Sequence, residues 1–170
     1  MASLHLFSNT DERGDVASSI RIMPSPMTRV GCANFGDFQC AMLGFAGRGD
    51  RFDRIAIDTH GNPGLISFGK EGLDAGTFVN FSRQIIVPLC DPGAHVYFSG
   101  CNVAEGDEGW GFLRAAGYFF LRGSGGRVSG WTSLGFTQGL FDTGHTYHLW
   151  GKVRTAYCGA DGQCIGYAEK

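Results

Sequence analysis

The chain has 170 residues, 43% hydrophobic and 18% charged, with a formal net charge of −2. That length suits one domain around one core and is too short for two, and so small a charge gives no electrostatic reason to bind nucleic acid or an anionic membrane. Residues 1–15 lack a basic stretch followed by an apolar core, and no run approaches the roughly eighteen apolar residues of a membrane span, so neither Sec export nor membrane insertion is expected.

Residues 4–7 and 19–23 read as an opening strand pair around the polar turn 9–15. Beyond Pro24 and Pro26, Phe35, Phe38, Met42 and Phe45 recur at helical intervals, which predicts a helix over 34–46 ended by residues 47–50. A strand over 52–58 and a short hairpin arm over 65–68 follow. Asp74 is the expected N-cap of a second helix, 74–86, that buries Phe78, Phe81 and Ile85. A break at 88–93 leads to a strand over 94–99 and a third helix over 107–121. Gly125 and Gly126 open a strand over 127–133, and 147–157 with 163–168 make a terminal hairpin. Alternating strands and helices predict one α/β domain, residues 1–170, with a mostly parallel central sheet flanked by helices.

Six cysteines, at 32, 40, 90, 101, 158 and 164, are too few and too scattered for a disulfide framework, and most are expected to be reduced core thiols. The exception is Cys158-Gly159-Ala160-Asp161-Gly162-Gln163-Cys164, where an Asp-Gly turn brings two thiols near each other, either bonded or reduced. His145-Thr146-Tyr147-His148 with Cys158 and Cys164 lacks the spacing of a zinc knuckle, and Gly123-Ser124-Gly125-Gly126 lacks the lysine of a phosphate loop. Neither a metal nor a cofactor is expected.

The chemistry gathers at two strand ends, Ile55-Ala56-Ile57-Asp58-Thr59-His60-Gly61 and His95-Val96-Tyr97-Phe98-Ser99-Gly100-Cys101. Carboxyl ends of parallel strands converge on the crevice where open α/β sheets hold ligands, so the thiol and the imidazole can meet there. A cysteine attacks as its thiolate, and a neighbouring His supplies the thiolate by taking the proton. Ordinarily a lone Cys is a core thiol, and a lone His a hydrogen-bonded core imidazole. Here Ser99-Gly100 precedes Cys101, a helix is expected a few residues after it, and His60 stands before the tight turn Gly61-Asn62-Pro63-Gly64. That setting favours accessible strand-end groups near unpaired helix N–H groups.

Residues 60–69 and 100–112 carry the patterns HGxPG and GCNVAxGxxGxxF. In them the chain resembles the caspase-like (clan CD) cysteine peptidases, a group that includes caspases, legumain, gingipains, separase and CHAT proteases, with His before Cys in the chain. It resembles more closely a bacterial caspase-like domain of unassigned function found in large surface and secreted proteins. The likeness covers about residues 53–133, and the second pattern is the more specific of the two. The family's second half usually continues into a longer sheet than this chain offers.

The resemblance implies a caspase-hemoglobinase-like sandwich and a cysteine endopeptidase with Cys101 as nucleophile and His60 as general base, then acid. It implies an oxyanion hole made by the backbone N–H groups of Gly61 and Cys101, and a pocket wall from Trp131, Thr132 and Ser133. The family needs no third residue to orient the His; Asp58 is either such an orienter, a substrate-binding acid or a structural residue. The partner is then an extended protein or peptide substrate, and Asp58, Glu105, Asp107 or Asp142 would favour a basic side chain. By analogy, such a domain without a signal peptide is a bacterial effector or toxin, cytoplasmic in its producer, exported by a contact-dependent machine and neutralised by an immunity protein. Two alternatives compete. An L,D-transpeptidase-like cell-wall enzyme also combines His-Gly with Ser-x-Gly-Cys, but follows its Cys with an Arg where this chain has Asn102-Val103-Ala104-Glu105. A caspase-like scaffold that binds a partner without cutting is the other.

Overall fold

The computed structural model describes residues 2–9, 27–85, 87–133 and 151–170. In chain order its elements are β1 (Ser3–Ser8), β2 (Met27–Cys32), α1 (Phe35–Arg48), β3 (Phe52–Asp58), β4 (His60–Asn62), β5 (Leu65–Phe68), β6 (Glu71–Asp74), α2 (Ala75–Ser82), β7 (Cys90–Phe98), α3 (Gly106–Leu121), β8 (Gly126–Trp131), β9 (Val153–Cys158) and β10 (Cys164–Glu169). Seven strands form the main sheet in the order β10-β9-β8-β7-β3-β1-β2, and β4-β5-β6 form a small second one. Contacts from β2 through β8 are parallel, and β9 and β10 extend the sheet antiparallel, with β10 at its edge. The expected α/β class, the mostly parallel sheet and the terminal hairpin are all present.

Register explains where the core lies. Leu4 pairs with Ile55, Ile55 with Val96 and Val96 with Val128, while Leu6, Ile57 and Phe98 form the next row. All seven are buried, and because alternate strand residues point to opposite faces they pave one side of the sheet. The helices cover that side. Phe78 of α2 packs against Phe98 of β7, Phe112 and Phe119 of α3, and Phe38 of α1. Phe68 of β5 stacks on Phe38, which fastens the small sheet to the same cluster.

Side-chain caps begin α1 and α2, and a glycine ends α1. Asn34 accepts from the Asp37 N–H at the start of α1, and Gly49, at φ 72°, closes it with a left-handed turn. Asp74 accepts from the Thr77 N–H at the start of α2. This helix stops at Ser82, short of the expected 86. The Arg122 guanidinium donates to the Ser82 carbonyl at 2.9 Å and to that of Ile85, taking over carbonyls that another turn would have used.

The opening hairpin is replaced. Both edges of β1 are filled, by β2 and β3, and its partner on the outer side is the parallel strand Met27–Cys32. The expected strand 19–23 lies outside the described residues, as do His145, His148, Asp142 and the start of the expected strand 147–157. β7 begins at Cys90, earlier than expected. Its ladder with β3 is interrupted between the Phe52–Cys90 and Arg54–His95 pairs, so Asp91-Pro92-Gly93 still form a local break. Cys158 and Cys164 are joined in a disulfide across the β9–β10 turn, which takes both thiols of the weak zinc pattern.

The face of the sheet opposite the helices is more polar. His95 lies 2.9 Å from the Ser129 hydroxyl, itself 2.9 Å from that of Thr155, and register sets Arg54 and Arg127 on either side of His95. Burial, with the Arg127 and Arg54 guanidiniums behind it, lowers the imidazole from its ordinary value to about 4. In the unfolded chain a His takes its proton near pH 6.5. Between these values the unfolded state holds more protons, so the stability is full above about 6.5 and is lost as pH falls through about 4. We expect His95→Gln to flatten the unfolding free energy between about pH 7 and 4 by on the order of 2 kcal/mol relative to wild type. Urea denaturation of both proteins across that range measures it.

Candidate functional site

β3 and β7 are parallel neighbours, and Ile57 pairs with Phe98 at their carboxyl ends. The Ser99 N–H donates to the Ile57 carbonyl at 3.0 Å, carrying the ladder one residue further. From this shared end the chain turns into His60 on one side and Cys101 on the other. There the two backbones touch. An alanine methyl at position 61 would lie 2.6 Å from the Cys101 carbonyl oxygen and 3.0 Å from its nitrogen, and one at position 100 would lie 3.3 Å from the Gly61 Cα. Glycine at both positions is what lets the His and Cys loops approach this closely.

Further bonds strap the Cys101 loop down. Gly64, at φ 69°, closes the turn between β4 and β5 and donates its N–H to the Val103 carbonyl at 3.1 Å. Asn102 has φ 55°, a left-handed conformation that Asn tolerates better than most residues. Its N–H donates to the Ser133 carbonyl and that of Ala104 to the Trp131 carbonyl, both at 2.9 Å. Arg154 of β9 donates to the carbonyls of Ala104 at 2.9 Å and Gly106 at 2.7 Å, and its guanidinium sits 4.9 Å from the centre of the Trp110 ring. Glu169 of β10 accepts from Arg154 and Lys152, each at 2.7 Å. These two bonds, that from Lys152 first, hold its carboxyl below the ordinary range. α3 has no side-chain cap at Glu105, and Arg154 stands at this junction instead.

His60 is exposed and Cys101 half-buried. Cys32 and Cys90 are buried thiols, pushed up to about 11 and about 12 by burial first, with Asp37 and Asp91 adding to it. Cys40 is exposed on α1. Accessibility thus singles out Cys40 and Cys101, and Cys101 stands beside the loop that carries His60.

The structure brings Gly61, Cys101, Trp131 and Ser133 into one neighbourhood. Thr132 belongs to it by backbone, but its hydroxyl donates to the Lys152 carbonyl and accepts from the Lys152 N–H, which turns it to the terminal hairpin. Asp58 is different. It is 1% exposed, its Oδ2 lies 2.8 Å from His5 Nε2, and its Oδ1 accepts from the Ser99 hydroxyl. Of the three roles considered for it, this placement fits the structural one and does not bring the carboxylate to a substrate. Tyr97, on the same face, has its phenol pushed up by burial, with Asp58 behind that.

His5, Ser99, Arg154 and Glu169 were not among the residues the sequence singled out. His5 left one trace, a polar side chain between Leu4 and Leu6 in an otherwise apolar strand. Arg154 and Glu169 left none, because a charged residue in a terminal hairpin is ordinary and their partners lie far away in the sequence.

Residues 41–118 match the model of a domain of unknown function, DUF4347. The DUF4347 match holds His60, Gly61, Gly100 and Cys101, and leaves out β1, β2, β8 and the terminal hairpin. No curated protein and no solved structure matches the chain. Among the described residues no cluster of three or more His, Cys, Asp or Glu could hold a metal ion, and no helix is long and apolar enough to cross a membrane.

Proposed function

We propose that this domain is a cysteine endopeptidase working through a His60–Cys101 dyad, on a sandwich of the caspase-hemoglobinase kind. The observation that carries the proposal is the backbone contact of Gly61 with Gly100 and Cys101 at the ends of two adjacent parallel strands. In the reaction, His60 takes the Cys101 thiol proton and the sulfur attacks the scissile carbonyl, giving a tetrahedral oxyanion held by the N–H groups of Gly61 and Cys101. Collapse breaks the C–N bond, and the proton passes from His60 to the leaving amine. Water, deprotonated by His60, then hydrolyses the thioester and returns the thiol. The register of β4 on β5 supports the hole. Asn62 and Leu65 close the two-residue turn, so Gly61 falls between ladder bonds and its N–H is directed away from β5.

Trp131 and Ser133 are the pocket wall in this proposal, and the substrate is an extended peptide. The passage from Cys101 through Asn102-Val103-Ala104-Glu105 into α3 supports a peptidase over the cell-wall enzyme, which would place an Arg after its Cys. An effector role, with export from the producer's cytoplasm and an immunity protein as its partner there, rests on the same activity. The test is cleavage of a peptide library, together with toxicity on expression in the bacterial cytoplasm and periplasm, each against Cys101→Ala. Cleavage and toxicity by the wild type alone are expected. Undiminished toxicity of a folded Cys101→Ala protein would favour the binding scaffold, and release of crosslinked muropeptides by the wild type would favour the cell-wall enzyme.

A further inference from the structure

We infer that His5, Asp58 and Ser99 form a positioning unit that sets the spacing between His60 and Cys101, a role that rests on the peptidase proposal. Asp58 is the last residue of β3 and Ser99 the first after β7, so each stands two residues before one member of the dyad. One carboxylate joins them. Asp58 Oδ1 accepts from the Ser99 hydroxyl, which also approaches the Ile57 carbonyl at 3.3 Å, and Asp58 Oδ2 is bonded to His5 Nε2 at 2.8 Å. His5 reaches Asp58 from β1, the strand on the other side of β3. The chain of bonds therefore runs across three neighbouring strands and ends at the turn that delivers Cys101.

Position and chemistry argue for orientation over bulk stability. His5 is 0% exposed and Asp58 1%, and His5 Nδ1 has no hydrogen-bond partner among the described residues, so the bond to Asp58 is the one that fixes the imidazole's polar edge within them. Burying such groups is costly, and apolar residues of similar volume often serve stability as well or better. What an apolar substitute cannot do is fix the rotation of Asp58 and, through it, the Ser99-Gly100 turn. That turn lies against Gly61, with only backbone between the two loops. Errors of about 1 Å in the position of reacting groups cost on the order of 100-fold in rate. In this inference the three act through position alone, with the Ser99 hydroxyl engaged by Asp58 and the Ile57 carbonyl.

The experiment uses the full chain with Cys40→Ser, which removes the exposed competing thiol. It compares wild type, Ser99→Ala, Ser99→Thr and His5→Phe by peptide cleavage and by the rate of Cys101 alkylation at neutral pH. Ser99→Ala should lower kcat by about 10- to 100-fold with KM within about twofold, and slow Cys101 alkylation. Ser99→Thr, which keeps the hydroxyl, should restore both, and His5→Phe, which keeps the ring volume, should resemble Ser99→Ala. Fast Cys101 alkylation that depends on His60 but is unchanged in Ser99→Ala and His5→Phe would overturn this inference and leave the peptidase proposal standing. Alkylation of wild-type Cys101 that is slow and indifferent to His60 would overturn both.

Discussion

Cys101→Ala and His60→Ala are each expected to lower peptide cleavage by at least about 1,000-fold, and the double variant by little more than either alone. A thiol without its proton acceptor and an imidazole without its thiol are both idle, so the second loss removes nothing that the first left working. Two independent contributions would multiply instead. Cys101 is half-buried beside a backbone turn, and Ala removes one sulfur without opening a core cavity. The unfolding free energy of Cys101→Ala should therefore stay within about 1 kcal/mol of wild type. Progress curves on one peptide with all four proteins, and chemical denaturation of each, decide the matter; multiplying losses would mean that the residues do not act as a pair.

Gly61→Ala should separate the dyad without removing either member. The new methyl would lie 2.6 Å from the Cys101 carbonyl oxygen, 2.9 Å from the Gly100 carbonyl carbon and 3.0 Å from the Cys101 nitrogen. All three are backbone atoms, so no side chain can swing aside, and the His60 and Cys101 loops must move apart. A displacement approaching 1 Å predicts a fall in kcat on the order of 100-fold, and overpacking predicts a stability loss of about 1–3 kcal/mol. Gly47→Ala is the control. Position 47 is exposed in α1 with nothing within 4 Å of the added methyl, so that change should stabilise the protein by about 0.5–1 kcal/mol and leave cleavage alone. Equal kinetics for the two variants would contradict the close approach of the two loops.

Legibility in the sequence followed local signal. α1 announced itself by the spacing of Phe35, Phe38, Met42 and Phe45, α3 by its place after the strand that leads to Cys101, and β3 by an apolar run whose bounds the structure repeats. β2 was not legible because it is an edge strand: of its six residues only Cys32 is buried, so alternation is faint. β6 buries Leu73 alone and pairs only through the hairpin it completes. The length of α2 depended on Arg122, forty residues after Ser82, and no window along the chain contains both.

The same division holds at the candidate site. His60-Gly61 and Gly100-Cys101 were visible because each ends an apolar run, and parallel pairing of those runs was a consequence of the α/β alternation. Asp58 was visible but ambiguous, since strand alternation gives its face and not its neighbours. Its tie to His5 spans 53 positions and its tie to Ser99 spans 41. The Arg154 clamp on the Ala104 and Gly106 carbonyls likewise exists only once β9 is folded against β8.

The rate at which iodoacetamide alkylates Cys101 at neutral pH, in folded Cys40→Ser protein with and without His60→Ala, tests the dyad most directly. It needs no knowledge of the substrate. Cys32 and Cys90, pushed up to about 11 and about 12 by burial, will not compete. Because the thiolate is the reacting species, a Cys101 that passes its proton to His60 should react at least about tenfold faster than the same thiol in His60→Ala. Equal rates in the two proteins would contradict the dyad.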